Sequence, residues 1–167
     1  MKFNTRVKRL TEEEACVILC DARIVGIRWD IVPWSMVLDL DVRVSEEEGA
    51  QVRRVWVAFS GVSTLSLSLT NARLPTGLFV TSEMWVDELP EKGLRKASFR
   101  VLYAESSDEG PKSGQTHEVI IVAQKILGVA STGSCSWKEE ETGPTWKQRR
   151  SLANDDELRE FLYRDER

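Results

Sequence analysis

The 167-residue sequence predicts a mainly β fold: an antiparallel sandwich or open barrel of about seven to eight strands, with a short N-terminal helix and a C-terminal helix. Three observations carry the prediction. Residues 34–45 alternate apolar and polar side chains almost without a break, the period of a strand with one buried face. Short apolar runs of the same kind recur along the chain, separated by Pro, Gly and polar clusters. Capping-box signals at Thr11 with Glu14 and at Asn154 with Glu157 place helices near the two ends.

The elements follow in order. Thr11 with Glu14 reads as a capping box, and Glu12, Glu13 and Glu14 complement the dipole of a helix running to about Cys20. In the strand Arg23 to Ile31, Val25, Ile27, Trp29 and Ile31 share one face. After Pro33, Trp34, Met36, Leu38, Leu40, Val42 and Val44 form a core face, and Ser35, Val37, Asp39, Asp41, Arg43 and Ser45 a wet one. Glu46 to Gln51 is a polar loop. Val52 to Ser60 is a strand ended by Gly61, and Leu65, Leu67 and Leu69 alternate with small hydroxyl residues in the next. Leu78 to Asp87 reads as one strand, and Ser98 to Glu105 pairs with His117 to Gln124 across a long polar connection, Ser106 to Thr116. Residues 1–167 form one domain in this reading, with 131–167 a charged extension. Asn154 and Glu157 cap its last helix, which presents Leu158, Phe161 and Leu162 in a narrow stripe.

Composition excludes several function classes. Hydrophobic residues make up 41% and charged residues 30%, a soluble globular balance. The net charge of -4 argues against nucleic acid as partner, because phosphate neutralisation needs a basic surface. Residues 1–10 lack the apolar core of a signal peptide, and no run is long enough to span a membrane. Cys16, Cys20 and Cys135 are an odd number without a disulfide framework, so reduced thiols in the cytoplasm are expected.

Catalytic and metal schemes find little material. Cys16 and Cys20 share a helix face, but no second pair completes a zinc set, so neither metal nor cofactor is expected. His117 is the single histidine and has no nucleophile signature around it. The glycines form no phosphate-binding loop. Asp39 and Asp41 project from one strand face about 7 Å apart and read as solvated. With Glu46, Glu47 and Glu48 they would make a negative patch able to steer a basic partner. Trp29 and Trp34 fall on the core-facing side, whereas Trp56 and Trp85 are candidate binding anchors. Burial beneath a terminal helix explains Trp56 equally well.

The run Asp21-Ala22-Arg23-Ile24-Val25-Gly26-Ile27 leads into one strand, Met36 to Val44 forms a second, and Val55 to Val62 passes through Phe59-Ser60-Gly61-Val62 into Leu65-Ser66-Leu67. This stretch, Cys20 to Leu69, resembles small β-rich immunity proteins of bacterial polymorphic-toxin systems. Arg23 stands where that pattern has an acid, and the tail beyond Ser131 has no counterpart in it. The resemblance implies a non-catalytic antidote that binds and blocks one cognate protein toxin. A ligand- or sugar-binding β-sandwich, or an assembly subunit, is the alternative that the tryptophans suggest.

Overall fold

The computed structural model describes residues 6–45, 51–67, 77–91, 93–107, 110–136 and 144–164. The chain order is β1 (Val7–Leu10), α1 (Glu12–Ile18), β2 (Arg23–Asp30), β3 (Ser35–Ser45), β4 (Gln51–Ser60), β5 (Thr64–Leu67), β6 (Gly77–Val80), β7 (Trp85–Glu88), β8 (Arg95–Ser107), β9 (Gly110–Ala123), β10 (Lys125–Ser131), β11 (Cys135–Ser136), α2 (Trp146–Leu152) and α3 (Asp155–Leu162). All strand pairs are antiparallel, and the main path runs β1-β10-β4-β3-β2-β6-β8-β9-β5, with β11 on β4 and β7 on β8.

The mainly β, antiparallel expectation holds, but the described residues form eleven strands rather than seven to eight. Four local features account for the difference. The basic N-terminal segment is an edge strand, β1, on β10. The predicted strand ending at Gln124 is followed directly by another, β10, and the Gln124 N–H between them donates to the Ser60 carbonyl. The predicted strand from Leu78 to Asp87 is also two, β6 and β7, and Cys135–Ser136 adds a two-residue bridge. The described residues of the polar connection Ser106 to Thr116 are not a long loop either. The β8–β9 ladder continues through it, from Leu102↔Thr116 to Ser107↔Gly110, so polar composition there marks an extended ribbon.

Two clusters divide the apolar side chains between the faces of the sheet. Met36, Leu38 and Leu40 of β3, with Val55, Val57 and Phe59 of β4, meet Phe99 and Val101 of β8 and Ile121 of β9 in one buried core. Both halves of the strand path contribute to it, so the sheet curls around this cluster, and Ala15 of α1 and Leu19 at its C-cap join it. Each such side chain contributes about 1.5–3 kcal/mol on burial. On the opposite face Val37, Trp56, Ala58 and Val129 are covered by Leu158, Leu162 and Tyr163. The stripe Leu158/Leu162 therefore docks the C-terminal helix on the sheet.

The three helices among the described residues begin with capping boxes. Those at Thr11/Glu14 and Asn154/Glu157 are as the sequence predicts, with both reciprocal hydrogen bonds formed. Thr145 and Gln148 form a third, which starts α2.

Candidate interaction surface

Asp39 and Asp41 overturn the expectation of a wet face: they are 1% and 5% exposed. The face of β3 that carries them lies under α2 and α3. Arg54, from neighbouring β4, donates from Nη2 to Asp39 at 2.9 Å and to Asp155 at 2.7 Å, and from Nη1 to the Ala153 carbonyl at 2.8 Å. Arg149 of α2 pairs with both Asp39 and Asp41. Arg28 of β2 reaches Asp155 at 3.1 Å and lies 4.2 Å above the Trp56 ring. Trp56 itself is fully buried, so the terminal helices account for it and it offers no surface anchor.

Arg54 and Asp155 are compensated by their partners, whereas at Arg149 burial outweighs Asp39 and lowers the pKa. Burial favours the neutral form of Arg54, but its bonds to Asp39 and Asp155 outweigh that and raise its pKa. Burial also opposes ionisation of Asp155, and Arg54 and Arg28 more than compensate, holding it below the ordinary carboxylate value. Together these groups fasten the helices to the sheet.

The β2–β3 hairpin has the opposite character at its tip. A bulge between Ile24 and Gly26 resets the strand, so that Arg28 and Asp30 join the helix-covered face while Ile27 and Trp29 stand opposite Leu38 and Met36. Asp30 accepts from the Tyr163 hydroxyl at 2.9 Å and from Arg159 at 3.5 Å. Every charge of the hairpin end is thus drawn towards α3. What remains outward is apolar: Ile31 and Val32 are 77% and 89% exposed, and Trp29 and Trp34 are 43% and 50% exposed.

Trp29 and Trp34 are therefore corrected from core residues to a surface pair. They do lie on the side the alternation assigns them, but past the end of the packed core. They cover each other instead, with ring centroids 5.1 Å apart and an interplanar angle of 28°. The turn contains a cis Val32–Pro33 bond, and the Trp34 carbonyl accepts from the Gly61 N–H at 2.8 Å. Turns are ordinarily polar because their backbone faces water, which makes the exposed Ile31 and Val32 unusual in this one.

The other candidates are scattered. Trp85 is 51% exposed on β7, which is separated from the β2–β3 hairpin in the strand order. Glu46, Glu47 and Glu48 lie outside the described residues. The five-carboxylate patch cannot form as expected, since Asp39 and Asp41 are enclosed and ion-paired. Burial, reinforced by nearby carboxylates, pushes the Cys16 and Cys20 thiols up, and burial alone does so for Cys135. Among the described residues no group of three metal-ligating side chains is assembled, and no helix is long and apolar enough to cross a membrane. Sequence reasoning missed the arginine partners and the apolar tip. The available signal for the tip was a turn, Ile31-Val32-Pro33-Trp34, with no Gly, Asn, Asp or Ser in it.

Comparison of the chain with protein families, curated proteins and solved structures finds no match.

Proposed function

We propose that this chain is a non-catalytic protein-binding inhibitor, an immunity protein that neutralises a cognate bacterial toxin in the cytoplasm by stoichiometric binding, and that the β2–β3 tip is its contact. One observation carries the reading: a hairpin end whose charges are tied to α3 and whose outward side chains, Ile31, Val32 and the Trp29–Trp34 pair, are apolar and exposed. Tryptophan is the side chain most enriched among residues that dominate binding energy. Burying an aliphatic side chain such as Ile31 or Val32 against a partner adds about 1.5–3 kcal/mol. The resemblance in residues 20–69 supplies the kind of partner, and the tip lies within that stretch. Sugar binding remains the alternative for an exposed aromatic pair, but the aliphatic Ile31 and Val32 favour a protein.

The test is co-expression with the product of a neighbouring gene that arrests growth when expressed alone. Growth arrest should be relieved only when the chain is at least equimolar with the toxin, and the two should co-purify one to one. Relief at far lower amounts would make the chain an enzyme and overturn the reading.

A further inference from the structure

The ladder between β2 and β3 ends at the rung Asp30↔Ser35, directly after Trp29↔Met36. Asp30 follows Trp29 on one strand, and Ser35 follows Trp34 on the other. Whatever fixes this last rung therefore fixes the starting points of both indoles. Hydrogen bonds from outside the hairpin reach both strands here. The Gly61 N–H donates to the Trp34 carbonyl at 2.8 Å, and the Tyr163 hydroxyl donates to Asp30 Oδ2 at 2.9 Å. Arg159 reaches the other oxygen of that carboxylate at 3.5 Å, from a partly exposed side chain.

Tyr163 is the firmer of the two groups on Asp30. Its ring is buried in the cluster of Trp56, Leu158 and Leu162, and its backbone N–H donates to the Arg159 carbonyl at the C-terminal cap of α3. Burial, with the bond to Asp30, raises the pKa of the hydroxyl, so it keeps its proton and donates. We propose that Tyr163 is a positioning residue for the contact: its hydroxyl, carried by α3, fixes the last rung of the hairpin and so holds the Trp29–Trp34 pair in its stacked arrangement. This rests on the reading that the β2–β3 tip is what the protein partner binds. A pair already stacked in the free chain spares the complex the cost of ordering it. The C-terminal helix then does more than cover Trp56; it sets the shape of the contact on the other face of the hairpin.

Two indoles 5.1 Å apart and inclined at 28° couple their transitions, so circular dichroism of the free chain reads the stack as an exciton couplet. Its disappearance in Trp34→Phe assigns it. Tyr163→Phe keeps the ring and removes the donor, and should weaken the couplet. Asp30→Asn keeps an acceptor for the hydroxyl and should retain it. Towards the purified growth-arresting partner, Tyr163→Phe should weaken binding by about twofold to tenfold, as one lost hydrogen bond lowers the fraction of chains with an ordered tip. A Tyr163 that only supports the fold would lower the Tm and leave the couplet intact. An unchanged couplet in Tyr163→Phe, an equal loss in Asp30→Asn, or a weakened couplet with full affinity would each overturn the positioning role. The tip would remain the contact in those cases if Trp34→Ala lost affinity. Full affinity in Trp34→Ala as well would overturn the tip as contact, and the positioning role with it.

Discussion

Arg54 of β4 donates to the carbonyl of Ala153, the residue that joins α2 to Asn154 and α3. The helix pair is therefore pinned at its elbow by a guanidinium that also holds Asp39 and Asp155. Removing one member of a buried charge set leaves the others uncompensated in a low dielectric. Arg54→Met should cost about 3–5 kcal/mol in urea unfolding. A loss below about 1 kcal/mol would mean that the charges do not fasten the helices.

Acid should loosen the same joint. The Asp155 pKa is lowered from 3.8 in the folded chain by Arg54 and Arg28 acting against burial. A carboxylate with a depressed folded pKa contributes stability that is fully present above its unfolded value and is lost as pH falls through the folded one. Stability should therefore fall below pH 3.8, and Asp155→Asn should remove part of that slope. Urea midpoints followed by circular dichroism over this range measure it. Identical acid slopes in the two proteins would exclude Asp155 as a contributor.

The bend between β4 and β5 depends on Gly61, whose φ of +67° is strained for any residue with a Cβ. An added methyl would also meet the Gln124 side chain at 2.8 Å, although that chain end can move. Gly61→Ala should cost about 1–2 kcal/mol, and Gly61→Asn less, because Asn tolerates left-handed backbone better. Thermal unfolding of both variants ranks them, and an Ala variant at least as stable as Asn would refute the backbone argument.

Tryptophan substitutions should separate packing from surface. Trp56→Ala empties a buried site beneath α3 and should lose about 3–5 kcal/mol of stability. Trp34→Ala removes a half-exposed ring and should lose about 1 kcal/mol or less. The reverse ranking would place the tip in the core.

Much of the fold was legible from β3 alone. Its alternation assigns Met36, Leu38, Leu40 and Val42 to the core, and they are there. The caps at Thr11 and Asn154 were legible too, because a capping box is written within four residues. The site was not, for a physical reason. A carboxylate buried against arginine has the same sequence signature as one in water, and the partner that distinguishes them, Arg149, is 110 residues from Asp39. Period likewise tells which face Trp29 occupies and not whether anything covers it.

The most direct test of the account is the affinity of tip variants for the purified toxin. Ile31→Ser with Val32→Ser and Trp34→Ala should weaken binding by about a hundredfold or more, on the scale of a lost hot spot, while folding stability stays within about 1 kcal/mol. The association rate of the wild-type chain should change little with salt, since the charges around the tip are already paired within the chain. Unchanged affinity in these variants would contradict the assignment of the tip as the contact.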